Sequence, residues 1–399
     1  MNKISITDVD LAGKKVLVRV DFNVPLNEKH KITDDTRIRA TFPTIKHLLK
    51  NKCKIILMSH LGRPKGKVVP ELSLMPVAIK LSNILKGFHP VFMARDCIGP
   101  MVEKMAANMR PSSILLLENL RFHPEEEKND QDFARKLASL AEFFVQDAFG
   151  TLHRAHASTA GVTNFLPSAC GFLVKKEIDY LGSALDKPQK PFLAILGGAK
   201  VSGKIDVIEN LLNKVNTVAI GGAMAYTFLK AEGINVGSSR VEEDKVDLAK
   251  DILKRASEKK VTMLIPCDHV VTQKIDGSSE SKVVGTDIPE GWIGVDIGPL
   301  TSDRYEGAIK ASKTIVWNGP MGIFEVDKFS EGTMKIARQL ADATKTGATT
   351  IIGGGDSVAA VSKASVTDKM SHISTGGGAS LEFLEGKQLP GIVAIKDKE

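Results

Sequence analysis

The stretch FLAILGGAKVSGKID, residues 192–206, joins a continuous apolar run to a glycine-rich turn and then to a helix-like segment. A buried strand, a glycine turn and a helix in this order are typical of α/β proteins with a parallel sheet. Gly198, Gly203 and Lys204 also have the spacing of a phosphate-binding P-loop, but Ile205 stands where a P-loop needs a hydroxyl to ligate Mg²⁺. If the stretch binds phosphate, its metal ligand must therefore come from elsewhere in the chain.

Similar apolar runs recur along the whole chain, and helix-like stretches separate them. Nearly continuous Val, Ile and Leu suit strands that are buried on both faces. The class is therefore α/β, with two doubly wound, Rossmann-like parallel-sheet domains. The runs are KKVLVRV, KIILMSH, SILLLEN and FFVQDAF in the first half, and FLAILGG, TVAIGGA, TMLIPCD, TIVWNGP and TTIIGGG in the second.

A connecting helix is predicted near the middle of the chain. Val174, Ile178 and Leu181 recur at helical spacing, and Pro188 and Pro191 then stop the helix because proline lacks an amide donor. We place this helix at residues 173–187. It divides a first domain, 1–172, from a second domain, 188–386.

The composition is that of a soluble globular protein with an affinity for anions. Of 399 residues, 43% are hydrophobic and 25% charged, and the amino end lacks the apolar core of a signal peptide. The net charge of +7 attracts anions but is not concentrated in blocks, and only 5% of residues are aromatic, which argues against a nucleic-acid surface. Four dispersed cysteines favour reduced thiols in the cytoplasm. The expected ligand is a small anion.

In the first half, polar loops follow the predicted strands. They read RVDFNVP, SHLGRP, ENLRFHP and GTLHRAHAS, and ligands of open α/β sheets bind at the carboxyl ends of strands. Converging there, the side chains would form an anion-attracting crevice. They are Asp21, Asn23, Arg37, His60, Arg63, Arg121, His153, Arg154 and His156.

Each of these residues has a simpler interpretation when taken alone. Any one arginine can be a solvated surface residue. Asp21 and Asn23 can form a turn. His153 and His156 lack a third local ligand, so they do not indicate a metal site. Placement after four separate strands favours the crevice.

In the second half, the same positions carry glycine, in LGGAK, IGGAM, IIGGGDS and STGGGAS. Glycine lets main-chain amides approach phosphate, and a helix start adds its positive dipole end; tight strand-helix packing is the alternative. Asp356 follows one triplet and can supply the missing metal ligand, or it can be an ordinary N-cap. With Lys200 and Lys204 as point charges, the pattern predicts a kinase that acts on a small anion.

The chain resembles the phosphoglycerate kinases from end to end. The resemblance rests on the ordered motifs RVDFNVP, SHLGRP, LENLRFHPEE, GTLHRAHAS, LGGAKVSGK, VWNGPMGIFE, GGGDS and STGGGAS. It implies transfer of the acyl phosphate of 1,3-bisphosphoglycerate to MgADP, giving ATP and 3-phosphoglycerate, by a monomer in the cytoplasm. It also implies that residues from about 387 to 399 return to the first domain. Because substrates on opposite domains must meet to react, the domains are expected to close on binding.

The resemblance further implies a role for each motif residue. Asp21, Asn23, Arg37, His60, Arg63, Arg121 and Arg154 would bind 3-phosphoglycerate or 1,3-bisphosphoglycerate. Lys204, Gly294, Glu325, Gly354, Gly355, Asp356 and Ser357 would bind the nucleotide, with Asp356 on Mg²⁺ and Glu325 on the ribose. Arg37, Lys200, Lys204 and the amides of Gly376 and Gly377 would stabilise the charge of the transferred group. Ser357 stands where many relatives have Thr.

Two other functions remain as alternatives. A nicotinamide-dependent dehydrogenase would also have two α/β halves, but no early GxGxxG is followed by the required acidic residue. A non-catalytic RNA-binding protein is suggested only by the pI of about 9.0. Hydride transfer, or salt-sensitive RNA binding without phosphoryl transfer, would identify either one.

Overall fold

The computed structural model describes residues 2–86 and 88–398. Met1 and Glu399, the ends of the predicted first domain, lie outside the described residues. The chain forms two compact units. One comprises the residues up to Asp179 together with those from Gln388, and the other is Tyr180–Lys387.

The first unit is built on a six-stranded parallel sheet with the strand order β3-β4-β2-β1-β5-β6. The chain runs from β1 outward to β2 on one side and later places β5 on the other, so the order reverses between β1 and β5. The strands are β1 Lys15–Val20, β2 Lys54–Met58, β3 Val91–Met93, β4 Ile114–Leu116, β5 Phe143–Asp147 and β6 Ser168–Cys170.

The second unit contains another six-stranded parallel sheet, with the order β15-β14-β13-β7-β8-β9, and the reversal falls between β7 and β13. A three-stranded antiparallel sheet, β11-β10-β12, is added to it and was not predicted. The strands are β7 Phe192–Leu196, β8 Thr217–Ile220, β9 Thr262–Leu264, β10 His269–Thr272, β11 Ser281–Val284, β12 Ile293–Ile297, β13 Thr314–Asn318, β14 Thr349–Gly353 and β15 His372–Ile373.

Helices connect the strands in both units. The predicted connecting helix is α7, and the boundary between the units falls within it. The helices are α1 Thr36–Ala40, α2 Phe42–Lys50, α3 Met75–Ile84, α4 Pro100–Ala107, α5 Pro124–Glu127, α6 Gln131–Ala138, α7 Phe172–Asp186, α8 Ile205–Leu211, α9 Met224–Ala231, α10 Val246–Glu258, α11 Pro299–Ala311, α12 Glu331–Lys345, α13 Gly355–Lys363, α14 Gly378–Leu384 and α15 Pro390–Val393. Short 3₁₀ turns lie at Pro70–Leu72, Leu120–Phe122, Phe149–Thr151, Gly161–Asn164, Glu243–Lys245, Asp327–Phe329 and Thr367–Lys369.

Both faces of the first sheet are buried, as the apolar runs predicted. Along β1, Val16 and Val18 belong to one hydrophobic cluster, while Leu17 between them belongs to another. Successive side chains of a strand point to opposite faces, so a strand with a core on each side carries apolar side chains on both faces. Trp317 of β13 lies similarly buried in the core of the second unit.

The last described residues lie against the first ones within the first unit. The main-chain amide of Ile4 donates to the Lys396 carbonyl at 3.2 Å, and that of Lys398 donates to Asn2 at 2.8 Å. The Lys3 ammonium lies 3.0 Å from the Asp397 carboxylate. Among the described residues, no helix combines the length and the apolarity needed to cross a bilayer.

Candidate active site

Loops after three strands of the first sheet meet at Gly62. Its amide donates to Asn23 Oδ1 at 2.9 Å, and its carbonyl accepts a hydrogen bond from Arg121 Nη1 at 2.9 Å. Arg121 is buried, and its Nε lies 3.2 Å from the Glu127 carboxylate. Gly62 has a φ of +63°, which favours glycine. These contacts set Asn23 and Arg121 at the carboxyl end of the sheet.

Arg37 is held at the same end by an ion pair. Its Nη1 lies 2.8 Å from Asp21 Oδ2, directly after β1. Its side chain is 37% exposed, so the guanidinium keeps donors that can reach a ligand. Arg39, two residues later on α1, pairs instead with Asp35 at 2.8 Å and is 64% exposed.

His60 is buried beside Arg19, a residue to which the sequence assigned no role. Arg19 Nη2 lies 3.1 Å from His60 Nδ1. An arginine can only donate, so Nδ1 must accept and Nε2 must carry the proton of a neutral ring. Burial, reinforced by the charges of Arg19, Arg121 and Arg37, places the pKa of His60 well below its usual value. His60 is therefore a neutral Nε2–H donor at physiological pH.

Two further buried hydrogen bonds connect Arg19 to an acidic side chain. Arg19 Nε donates to Ser158 Oγ at 2.9 Å, and this hydroxyl donates to Glu126 Oε1 at 2.6 Å. Arg19, Ser158 and Glu126 lie within motifs that the sequence singled out, but no side-chain pattern showed that residues 139 positions apart would meet. The network links Arg19, and through it His60, to the buried Glu126 carboxyl group.

The two remaining predicted arginines are exposed. Arg63 forms no hydrogen bond with any residue of the ranges 2–86 and 88–398, while Arg154 Nε donates to His153 Nε2 at 3.1 Å. The positive charges of Arg63 and Arg154 both help to lower the pKa of Arg121, so the two side chains lie close enough to interact with it. The first unit therefore brings all seven predicted anion-binding residues to one end of its sheet.

In the second unit, a cleft of about 270 Å³ lies at the reversal point between β7 and β13. Ligands of doubly wound sheets bind at such points. Loops after β7, β13 and β14 form its walls, and it brings together six of the predicted residues. It is lined by Gly197, Gly198, Ala199, Lys200, Lys204, Asn318, Gly319, Pro320, Gly354, Gly355, Asp356 and Ser357.

Lys204 is held by Asn318, which the sequence did not single out. Lys204 Nζ donates to the Asn318 side-chain oxygen and, at 3.3 Å, to the Asn318 carbonyl. Burial lowers the pKa of Lys204 to about 8, although the charges of Asp356 and Glu385 oppose the shift. The ammonium is therefore mostly charged at neutral pH. Lys200 is exposed and forms no hydrogen bond with a described residue.

The start of α13 supplies both amides and a carboxylate to this cleft. Gly354 has a φ of +86° at the N-cap, and Asp356 lies in the first turn with its side chain exposed. Asp356 forms no hydrogen bond with any described residue. Ser357 is buried, and its Oγ accepts from the Gly319 amide at 2.6 Å, so it holds the neighbouring loop. Mg²⁺ is commonly bound through one or two carboxylates plus substrate phosphates, so the donor at Asp356 fits that ion.

The other four predicted residues of this unit do not line the cleft. Gly376 donates its amide to Ser374 Oγ at 3.2 Å, a bond that a phosphate would have to displace. Gly377, with a φ of +52°, is the N-cap of α14. Gly294 lies on β12, where a Cβ would approach the Tyr226 hydroxyl to 2.1 Å. Glu325 is exposed on the loop after β13 and has no hydrogen-bond partner among the described residues.

A glycine- and lysine-lined cleft at one switch point and a guanidinium-rich crevice at another define a phosphotransferase for small anionic substrates. Comparisons with known proteins agree. The family model described as phosphoglycerate kinase matches residues 6–387. The chain belongs to the phosphoglycerate kinase family. The family predicted from the motifs, and the α/β fold with it, are confirmed.

Relatives match along nearly the whole length of the chain. Phosphoglycerate kinase of Chlorobium phaeobacteroides is 57% identical over 399 residues and covers 100% of both chains. Cytosolic phosphoglycerate kinase of Triticum aestivum is 59% identical, covering 98% of this chain and 97% of its own. The solved enzymes of Coxiella burnetii and Pyrococcus horikoshii superpose with TM-scores of 0.88 and 0.80 at 40% and 30% identity, each covering 98% of both chains. The protein transfers the acyl phosphate of 1,3-bisphosphoglycerate to ADP in glycolysis, giving ATP and 3-phosphoglycerate reversibly.

Proposed function

We propose that the two units divide the reaction, the first binding the phosphoglycerate and the second the nucleotide. The observation that carries this assignment is the cleft of about 270 Å³ in which two lysines and the Asp356 carboxylate meet glycine-rich turns. Main-chain amides and ammonium groups suit nucleotide phosphates. Guanidinium groups and a neutral histidine suit a small phosphorylated acid. The 3-phosphoglycerate ligands are Asp21, Asn23, Arg37, His60, Arg63, Arg121 and Arg154.

The nucleotide phosphates lie against the start of α13. Lys204 supplies charge, the Gly354 and Gly355 amides donate, and Ser357 holds the adjoining loop in place. Mg²⁺ would be bound by Asp356, where it offsets negative charge on the nucleotide phosphates. Gly294 borders the nucleotide from β12, and Glu325 accepts hydrogen bonds from the ribose.

In the transfer, an oxygen of the terminal phosphate of ADP forms a bond to the phosphorus of the acyl phosphate. The bond between that phosphorus and the acyl oxygen breaks, and the carboxylate of 3-phosphoglycerate leaves. No proton has to be removed from the attacking oxygen, so a general base is not required. Charge on the transferred group is stabilised by Arg37, Lys200, Lys204 and the amides of Gly376 and Gly377.

Two observations support a proposal for where and in what form the enzyme acts. We place it in the cytoplasm as a monomer that acts on small molecules, without nucleic acid or membrane as partners. The wheat relative is named cytosolic, and all four cysteines of this chain are free thiols. Both sets of proposed ligands belong to one chain, as a monomeric enzyme needs.

Asp356→Asn tests the assignment. The variant keeps the shape of the side chain but removes the charge, so we expect a magnesium requirement raised by about tenfold or more with little change in the KM for 3-phosphoglycerate. A coupled assay of ATP formation, titrated with Mg²⁺, measures it. Asp368→Asn is the control, because Asp368 is exposed in the same unit and does not line the cleft. Unchanged magnesium dependence in Asp356→Asn would remove that carboxylate from the metal site.

A further inference from the structure

The turn that carries Lys200 and Lys204 is closed around a carboxylate from a distant part of the chain. Glu242 Oε2 accepts from the main-chain amides of Val201 and, at 3.1 Å, of Ser202. Glu242 Oε1 accepts from the Ser202 hydroxyl at 2.6 Å. Three donors of one turn thus converge on one side chain, and no motif in the sequence indicated this contact.

Contacts with α9 and with a hydrophobic cluster hold Glu242 in place. Its main-chain amide donates to Thr227 Oγ1 at 3.1 Å, and Thr227 is fully buried on α9. The preceding Val241 packs against the hydrophobic cluster that contains Tyr226. Partial burial acts to raise the pKa of Glu242, but the hydrogen bonds from Ser202 and Val201 outweigh it and the pKa is lowered. The carboxylate is therefore ionised at neutral pH and fixed in place.

Because Lys200 and Lys204 belong to this turn, its contacts with Glu242 also hold the main chain of both lysines in place. Lys200 directly precedes the buried Val201. Lys204 donates its main-chain amide to the Val201 carbonyl at 2.8 Å and begins α8 as its N-cap. A displacement of Val201 would move both ammonium groups, since each is attached to the turn within three residues.

This arrangement differs physically from a P-loop. In a P-loop the main-chain amides of the glycine-rich turn point at the phosphates. Here the amides of Val201 and Ser202 are already bound to a carboxylate, whose oxygens have the same acceptor chemistry. Nucleotide phosphates must then be held by the lysine side chains and by the start of α13.

We infer that Glu242 is a positioning residue for the transfer reaction: it acts as the internal anion of the 200–204 turn and thereby sets Lys200 and Lys204 toward the transferred phosphate. The inference rests on the roles proposed above for the two lysines. Glu242 does not line the cleft and is not among the ligands proposed for either substrate, so its loss should act through the lysines and lower kcat while leaving the KM for 3-phosphoglycerate nearly unchanged.

Steady-state kinetics of four variants test the inference. Glu242→Ala is expected to lower kcat by about 10- to 100-fold, because displacements of about 1 Å can have effects of this size. The KM for 3-phosphoglycerate should stay within about twofold. Glu242→Gln keeps one acceptor oxygen for the two amides but loses the charge, so it should recover only part of the loss. Glu243→Ala is the matched control, since this neighbouring carboxylate pairs with Lys230 at 2.6 Å and does not touch the turn. Lys204→Ala reports separately on the lysine.

Taken together, the results for these variants distinguish a failure of the proposed role of Lys204 from a failure of the inference about Glu242. Near wild-type turnover in Lys204→Ala would overturn the lysine's proposed role and the inference with it. A loss in Lys204→Ala, with Glu242→Ala equal to Glu243→Ala, would overturn the inference alone. In a Lys204→Ala background, Glu242→Ala should lower kcat less than in the wild type, and full additivity would contradict action through that lysine.

A measurement on the unmodified enzyme covers the case in which Glu242→Ala fails to fold. Hydrogen exchange should show the amides of Val201 and Ser202 protected in the absence of nucleotide. Exchange of both amides at the rate of an open loop would show that the carboxylate does not hold the turn.

Discussion

Arg37 and Arg39 stand two residues apart on α1 but form ion pairs with different partners. Arg37 pairs with Asp21 at the carboxyl end of β1, in the crevice. Arg39 pairs with Asp35, which also lies 2.9 Å from Lys80. Residues two apart on a helix point to different faces, so only one of the two can serve the substrate.

We expect Arg37→Ala to lower kcat by about 10³-fold, or about 4 kcal/mol, as for other arginines that stabilise a phosphoryl-transfer transition state. Nucleotide affinity should change less. Arg39→Ala is the control and should stay close to wild type. Arg37→Lys should recover only part of the loss, because lysine keeps the charge but not the planar fork. Equal small losses at both positions, or a loss confined to substrate KM, would remove Arg37 from the transfer step.

Lys204 is expected to make the reaction sensitive to alkaline pH. Its pKa of about 8 means that the free enzyme loses this positive charge as the pH rises through that value. We expect kcat/KM for the nucleotide to fall above about pH 8, since kcat/KM reports the free enzyme. In Lys204→Arg the guanidinium remains charged, so the fall should move to higher pH even if the maximum is lower. If kcat/KM fell at the same alkaline pH in the wild type and in Lys204→Arg, the fall would be due to another group.

At the level of elements, the start of α7 depends on one buried carboxyl group. Asp147 ends β5, and its Oδ1 accepts from the Leu173 amide at 2.9 Å and the Val174 amide at 3.4 Å. Burial raises the pKa of Asp147 to about 7, against the opposing hydrogen bonds from Thr44, Val174 and Leu173. The folded protein therefore binds this proton more tightly than the unfolded chain does.

The raised pKa of Asp147 determines the direction in which its contribution to stability changes with pH. The stability that proton binding contributes is fully present below pH 4 and is lost as the pH rises through about 7. Asp147→Asn cannot ionise, so from pH 5 to 7.5 its stability relative to wild type should rise by roughly 2 to 3 kcal/mol. Urea unfolding at both pH values measures the change. Asp132→Asn, at an exposed carboxylate, should show no such trend. A difference between Asp147→Asn and wild type that is independent of pH would contradict the prediction.

The sequence predicts most strands of the two parallel sheets, including the partly exposed β9, but it misses the short, fully buried β6. The nine apolar runs coincide with strands of the two parallel sheets. The antiparallel sheet was missed because β11 is largely exposed, as at Val283, and because Gly294 and Asp296 interrupt the apolar pattern of β12. Among three-residue strands, the buried β4 was predicted from the run SILLLEN, whereas the partly exposed β3 was missed.

The site was predictable as a set of loops but not as a set of contacts. Lys204 was singled out by its P-loop-like spacing, and the structure places it in the cleft. Its partner Asn318 lies 114 residues away, and only the fold brings the two together. Arg19 and Glu126 were missed for the same reason, since a buried network has no local signature.

At the level of the whole molecule, the proposed ligands of the two substrates belong to different units. The proposed phosphoglycerate ligands lie in the unit that contains the residues up to Asp179, and the proposed nucleotide ligands lie in Tyr180–Lys387. Direct transfer needs the reacting atoms within about 3.5 Å of each other. We therefore expect domain closure to accompany binding of both substrates.

Small-angle scattering can test this expectation. The radius of gyration should be smaller with both 3-phosphoglycerate and a non-hydrolysable MgATP analogue than with neither. Either ligand alone serves as the control and should give a smaller change. An identical radius of gyration in all four states would argue against closure.

The pairing of residues 2–4 with residues 396–398 has a consequence for synthesis on the ribosome. The first unit emerges first, but the segment from Gln388 that completes it is translated only after the second unit. About 200 residues intervene, which corresponds to on the order of 10 to 40 s at usual translation rates. During that interval the nascent first unit lacks Ile392 and Ile395, which are buried in the finished protein, and it exposes the apolar surface that they cover. The unit that is made first is therefore the last to be completed, and chaperones have their longest opportunity to bind it there.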